Sequence, residues 1–282
     1  MELFRQLDIQ SLLKRALEED LGQGDITTAA TVTPGQPGRA RITVKDDRIV
    51  FCGGPLIEPV FTMAGAEPKI TTLAAEGQEL SRGQRAVEVE GKLAGLLIGE
   101  RTALNFLQLM SGIATTTRQF ASAVAGTRAR IVDTRKTHPG LRAVEKYAVR
   151  AGGGSNHRFG LDSGVLIKEN HIAAAGSVTS ALEKARRLAP HTLRIEIECE
   201  TLDQVEEALK AGAEAILLDN MSLVDIRRAR EIAGERVILE VSGGVTLGTV
   251  RAIAETGVDL ISVGALTHSA RAVDLSMRIE PA

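Results

Sequence analysis

Between Asp133 and His171 the chain reads DTRKTHPGLRAVEKYAVRAGGGSNHRFGLDSGVLIKENH, a stretch that holds Arg135, Lys136, His138, Arg142, Lys146, Arg150, His157, Arg158, Lys168 and His171. Arg135 and Lys136 come just after the apolar run 129–132, and Lys168 directly follows Val165, Leu166 and Ile167. A cation at the end of a buried strand loses hydration and needs an anion beside it. Several such ends in one region point to a pocket for a small polyanion. Arg135, Lys136, Arg158 and Lys168 would line it, the arginines as bidentate carboxylate ligands and the lysines as compact charges. A solvated basic patch is the plainer alternative, but two of these four flank apolar strands. His157 either bonds the ligand or orients Arg158. His138, before Pro139 at a helix start, reads as structural.

The acids and glycines supply a second half. On the strand over 193–199, Glu196, Glu198 and Glu200 alternate onto one face, with Glu198 nearest the rim, and Asp219 closes the next strand. Glu198 and Asp219 suit either Mg²⁺ shared with substrate phosphates or ribose hydroxyls. Structural pairing with Lys168 and Arg135 is the alternative. Ser242-Gly243-Gly244 and Val263-Gly264-Ala265 end the last two strands. A Gly-rich strand end before a helix offers bare amides and a positive dipole end to an anion. In α/β barrels phosphate sites often follow the last two strands. Glycines that merely permit tight turns are the other reading.

These side chains need a scaffold. From residue 130 onward strands and helices alternate, with strands over 130–133, 165–168, 193–199, 215–219, 237–241 and 259–263. Helices fall over 141–150, 178–189, 202–211, 223–233 and 247–255. Thr201 with Gln204 marks a capped helix start. Apolar strands joined by helices make a parallel sheet covered on both faces. Short connections favour an incomplete, six-stranded α/β barrel, with functional residues at the strand ends.

Before residue 112 the pattern differs. A helix is expected over 7–20, ended near Gly22, and Asp25–Thr28 reads as a capped turn. Strands follow over 39–45, 49–51, 69–73 and 86–90, with a helix over 56–64 and a turn over 76–83. A helix over 93–110 ends at Gly112 and a separate one runs over 115–125. Arg101 sits inside the first, where a helix salt bridge is the plain reading. The expected domains are 1–112, an α/β sandwich, and 113–269, the barrel.

Composition excludes other classes. The formal net charge is -2, aromatics are 2% and Trp is absent. No basic field recruits nucleic acid, and no platform of rings stacks bases. Cys52 and Cys199 match no metal or disulfide spacing. With no secretory signal pattern and no apolar run of membrane length, a cytoplasmic protein is expected. Lys168 at a barrel strand end also suits a Schiff-base lyase. A non-catalytic phosphometabolite-binding module is a further reading.

The segments EEDLGQGDITT, ERTALNFLQLMSGIATTT, the long run from Asp133, EIECET, ILLDNMS, LEVSGGV and ISVGALTHS together resemble the quinolinate phosphoribosyltransferase family over nearly the whole chain. The resemblance implies transfer of phosphoribosyl from phosphoribosyl pyrophosphate to quinolinate, with loss of CO₂, in NAD biosynthesis. It implies Mg²⁺, and a tail over about 270–282 that returns to the first domain. It also implies a homodimer in which one subunit's first domain covers the other's barrel mouth. Arg101 would then reach quinolinate across that interface. Thr134, Arg135, Lys136, His157, Arg158 and Lys168 would hold quinolinate. Glu198 and Asp219 would face the ribose and metal, with Lys136 close to the chemistry. Ser242, Gly243, Gly244, Val263, Gly264, Ala265 and His268 would take the phosphate side.

Overall fold

The computed structural model describes residues 9–282. The chain divides into two units, one of residues up to Thr116 with His138–Gly153 and Ala270–Ala282, the other of Thr117–Thr137 with Gly154–Ser269. The expected helix over 7–20 is observed as α1 (Ile9–Leu21), its first two residues lying outside the described range. Asp25 then caps α2 (Ile26–Thr31) by accepting from the Thr28 amide at 2.9 Å.

In the first unit the strands are β1 (Pro37–Val44), β2 (Arg48–Val50), β3 (Lys69–Leu73), β4 (Glu79–Ser81) and β5 (Arg85–Lys92). Period-two alternation puts Ala40, Ile42 and Val44 of β1 inward. On the other face, Arg39 and Arg41 reach Glu90 and Glu88 of β5 at 2.7 and 3.0 Å. The antiparallel sheet runs in the order tail strand (Leu275–Pro281), β1, β5, β3. β4 lies within the expected turn over 76–83. Only its Leu80 is buried, so a three-residue strand carries almost no period-two signal. Its pairing with β2, Ile49 opposite Leu80, is made by tertiary contact.

Helix α3 spans Ile57–Met63 and α4 spans Leu93–Ala123 without a break. The expected interruption at Gly112 does not occur. The small residues there serve packing: the Thr115 hydroxyl accepts the Val50 amide at 2.8 Å and the Ser111 hydroxyl accepts the Cys52 amide at 3.0 Å. A Cβ on Gly112 would lie 2.2 Å from the Arg271 carbonyl oxygen, so only glycine lets the returning tail approach. Helix α5 (Arg142–Ala151) groups with this unit, not with the barrel strands among which the sequence placed it. His138 is structural, as expected: its ring Nδ1 lies 2.5 Å from the buried Glu145 carboxylate, which burial pushes above the ordinary range.

The second unit is a six-stranded parallel sheet of β6 (Arg130–Val132), β7 (Val165–Ile167), β8 (Ile195–Cys199), β9 (Ala215–Asp219), β10 (Ile238–Ser242) and β11 (Leu260–Ser262). Its order is β6-β11-β10-β9-β8-β7. The helices are α6 (Glu169–Ala175), α7 (Val178–Leu188), α8 (Leu202–Lys210), α9 (Leu223–Ala233), α10 (Val250–Ala254) and α11 (Ala265–His268). Thr201 caps α8 through the Gln204 amide, while the Gln204 side chain reaches back to the Glu200 amide at 2.7 Å. α6 is an addition to the expected pattern. Its seven residues bury nothing fully, so no amphipathic stripe announces it.

Candidate active site

The cationic half of the site is built on an acid. Asp133, fully buried at the end of β6, accepts from Asn156 Nδ2 at 2.5 Å and from the His157 amide at 2.9 Å. This fastens the loop carrying His157 and Arg158 to the end of β6, from which Thr134, Arg135 and Lys136 continue. The Thr134 hydroxyl accepts the Lys136 amide at 3.0 Å, and the Lys136 carbonyl accepts the Thr267 hydroxyl at 2.7 Å. Arg158 Nη1 donates to the Gly164 carbonyl at 2.9 Å. Burial, and then the neighbouring Arg135 guanidinium, lowers the pKa of Arg158, while Glu196 pulls the other way. Two guanidiniums held close enough to repel each other form a site that an anion relieves.

The acidic half sits at the adjoining strand ends. Glu198 is buried on β8 and pairs with Lys168 Nζ at 2.5 Å, one of the ion pairs anticipated from the sequence. The Lys168 ammonium is thereby committed to a carboxylate, which counts against the Schiff-base reading. Asp219 closes β9, and its Oδ2 accepts from Asn220 Nδ2 at 2.7 Å. Asn220, at φ 53°, donates its amide to the Ser242 carbonyl at 3.0 Å and so brings the ends of β9 and β10 together.

The glycines are where the backbone needs them. Gly243 has φ 95°, and a Cβ there would lie 2.1 Å from Asn220 Oδ1. Gly244 has φ 60° and open space around it. A Cβ on Gly264 would lie 3.0 Å from Lys136 Cδ and 3.3 Å from His268 Nε2. The fold therefore gathers Lys136, Gly264 and His268 at one point, with Val263 and Ala265 flanking. Asp219, Ser242 and Gly243 meet at another.

Arg101 belongs to the other unit. It is exposed on α4 and forms no ion pair among the described residues, so the helix salt bridge with Glu100 is absent. With Asn105, Glu19, Asp20 and Leu141 it lines a cavity of about 250 Å³.

Beneath the mouth, Glu240 joins His157 and Glu196, and it is the one of the three that was not expected from the sequence. Glu240 of β10 is 1% exposed and faces the interior of the sheet, where neither carboxylate oxygen has a hydrogen-bond partner. Glu196 of β8 accepts from His157 Nε2 at 3.0 Å, and Glu240 Oε1 lies 3.7 Å from the same nitrogen. Strands two places apart are roughly 9–10 Å from each other in a flat sheet. Two glutamate side chains on the same face reach across that gap, and the ligand atoms of His157, Glu196 and Glu240 lie within 4.8 Å of one another. The signal was available in ILEVS, where an acid sits mid-strand among apolar residues. The His157 ring bonds on both sides within the protein: Nδ1 accepts the Arg158 amide at 2.7 Å and Nε2 faces Glu196.

A fold of this kind, an antiparallel sheet domain followed by a parallel α/β sheet with cations and glycines at its strand ends, is that of a phosphoribosyl-transferring enzyme class. Residues 25–111 match the N-terminal domain, and residues 113–278 the C-terminal domain, of quinolinate phosphoribosyl transferase. The chain belongs to the quinolinate phosphoribosyltransferase family. It is 44% identical over 273 residues to the nicotinate-nucleotide pyrophosphorylase [carboxylating] of Mycobacterium leprae, covering 94% of this chain and 95% of that one. The crystal structure of NadC from Streptococcus pyogenes is similar with a TM-score of 0.94 and 40% identity, covering 98% of this chain and 97% of that one. The nicotinate-nucleotide pyrophosphorylase of Francisella tularensis gives a TM-score of 0.90 at 38% identity, covering 96% of each chain. Among the described residues no helix is long and apolar enough to cross a membrane.

Proposed function

We infer that this chain is a carboxylating nicotinate-nucleotide diphosphorylase. It transfers phosphoribosyl from phosphoribosyl pyrophosphate to quinolinate, giving nicotinate mononucleotide, pyrophosphate and CO₂. The observation that carries the reading is the Arg135–Arg158 pair, two guanidiniums close enough to repel each other, which together hold more positive charge than one carboxylate would need. Quinolinate carries two carboxylates on adjacent ring carbons, and each takes part of that charge.

The donor's phosphates lie against Ser242, Gly243, Gly244 and the Val263–Ala265 turn, with His268 alongside. Lys136, bordering Gly264, spans the two substrates. The ring nitrogen forms its bond to ribose C1′ as the bond from C1′ to pyrophosphate breaks. Glu198 and Asp219 stabilise the positive charge that develops on the ribose in between. The glycosylated ring nitrogen is cationic and stabilises the electron pair left on the adjacent ring carbon when its carboxylate departs as CO₂. The ring carbon then takes up a proton.

Glu198 and Asp219 are hard oxygen donors near the mouth. This suits Mg²⁺, which keeps few protein ligands and relies on substrate phosphates. When bound, Mg²⁺ supplies charge neutralisation of the leaving pyrophosphate. Arg101, exposed and without an ion pair in its own chain, is assigned to the partner subunit's pocket in a homodimer.

Pyrophosphate release with quinolinate against nicotinate tests the reading. Nicotinate lacks the second carboxylate and forfeits the charge-assisted hydrogen bonds it would make, costing about 1.5–3 kcal/mol. Quinolinate is expected to be turned over and nicotinate not. Comparable rates with both acids would refute the carboxylating assignment.

A further inference from the structure

Below the substrate pocket, His157, Glu196 and Glu240 line a cavity of about 290 Å³ together with Arg158 and Arg194. The three ligand atoms have the spacing of a metal site, but the hydrogen bonds exclude a metal on this histidine. Nδ1 accepts the Arg158 amide, so Nδ1 carries the lone pair and Nε2 carries the proton. Nε2–H donates to Glu196 and has no electron pair for a cation.

The carboxylates remain to be explained. Glu196 is engaged through the histidine. Neither Glu240 oxygen accepts a hydrogen bond of normal geometry: the nearby Ser262 hydroxyl bonds the Val241 carbonyl at 3.3 Å and His157 Nε2 stands 3.7 Å away. Two carboxylates sharing a buried space do not both ionise, because neither is hydrated and each repels the other. The proton falls to Glu240, the more deeply buried and the one without a donor.

We propose that Glu196 and Glu240 are positioning residues for the quinolinate pocket, Glu196 fixing the His157 tautomer that aims Arg158 and Glu240 serving as the neutral partner that leaves Glu196 the single charge. This rests on the assignment of Arg158 to quinolinate. The chain of contacts is short: Glu196 orients the ring, the ring fixes the Arg158 amide, and Asp133 holds the other side of the same loop. Removing the acceptor for Nε2–H frees the ring to turn or change tautomer, and the Arg158 backbone loses its anchor.

A pH dependence follows. Burial, and then Glu196, pushes Glu240 up to about 8, His157 and the Ser262 hydroxyl pull the other way, and Asp133 adds a smaller upward push. The groups facing Glu240 are thus Glu196 from β8, His157 from the loop, Asp133 from β6 and Ser262 from β11, with Arg158 and Arg194 on the cavity wall. Below that pH Glu240 is neutral. Above it, a second negative charge appears 3.7 Å from His157 Nε2 and weakens the hold on a dianionic substrate.

The test compares steady-state kinetics of Glu196→Leu, Glu196→Gln, Glu240→Gln and Arg158→Ala, with long-range ¹⁵N NMR of the histidines in the unsubstituted protein. Glu196→Leu should raise the quinolinate KM about tenfold or more, with the phosphoribosyl pyrophosphate KM within about twofold, since tenfold corresponds to one hydrogen bond's worth, about 1.4 kcal/mol. Glu196→Gln keeps an acceptor and should recover most of that loss. The unsubstituted protein should show a rise in quinolinate KM above about pH 8 that Glu240→Gln abolishes. The ¹⁵N shifts should show His157 as the Nε2–H tautomer at neutral pH. An Nδ1–H tautomer, or an alkaline rise that persists in Glu240→Gln, overturns the proposal even where Glu196→Leu does not fold. If Arg158→Ala raises the quinolinate KM and Glu196→Leu does not, the positioning role alone fails. If Arg158→Ala leaves that KM unchanged, the assignment of the pocket fails.

Discussion

Replacing Gly243 by alanine adds one methyl group at the junction of β9 and β10. The new Cβ would lie 2.1 Å from Asn220 Oδ1 and 3.0 Å from the Asn220 backbone nitrogen, where ordinary contact begins at 3.4 Å. Asn220 cannot move freely, because its side chain holds Asp219 at 2.7 Å and its amide is bonded to Ser242. Rotating it away forfeits the bond to Asp219, worth about 1 kcal/mol, and pushing it away costs a further 1–3 kcal/mol or so. Gly244 is the internal control. At φ 60° with no protein atom within 4 Å, alanine there meets left-handed backbone strain, about 1–2 kcal/mol, and whatever the methyl costs against the donor's phosphates, both of which Gly243→Ala meets as well. The difference between the two variants is therefore about 2–4 kcal/mol, or roughly 30- to 700-fold. Pyrophosphate-release kinetics should show it in the phosphoribosyl pyrophosphate KM, while calorimetry shows quinolinate affinity little changed. Equal effects from the two alanines would refute the steric argument. A matching loss of quinolinate affinity would refute the division of the site into two halves.

Two further outcomes follow from the structure. Gly112→Ala ought to stabilise an ordinary helix by about 1 kcal/mol, yet here its Cβ lands 2.2 Å from the Arg271 carbonyl oxygen and the variant should be destabilised, with a lower midpoint in urea; a raised midpoint would contradict the close approach of the tail. On the homodimer proposed above, Arg101→Ala and Lys136→Ala proteins should each lose most turnover, since truncating one partner of a buried charge pair costs roughly 2–5 kcal/mol; co-refolded mixed dimers should regain a sizeable part of it, and a mixture that stays inactive despite verified subunit exchange would refute the shared site.

Periodicity along the chain was enough to find the alternating half. The strands at 130–132, 165–167 and 215–219 are short apolar runs that end in charge, and a charged end on a buried strand has few physical explanations. For the same reason the cations Arg135, Lys136, Arg158 and Lys168, the acids Glu198 and Asp219, and the glycine turns could be named before any coordinates. What the sequence could not weigh was contact between distant segments. Ser111-Gly112 looks like a helix stop until the tail at Arg271 passes over it, and Glu79–Ser81 looks like a turn until β2 pairs with it. His157 stood between two roles because a ring's tautomer depends on what faces each nitrogen, here the Arg158 amide and a glutamate on another strand. Glu240 carried a local signal, an acid amid apolar residues, but its significance lies in a contact that no local pattern shows: two strands that are not neighbours bring two carboxylates to the same imidazole nitrogen, at 3.0 and 3.7 Å.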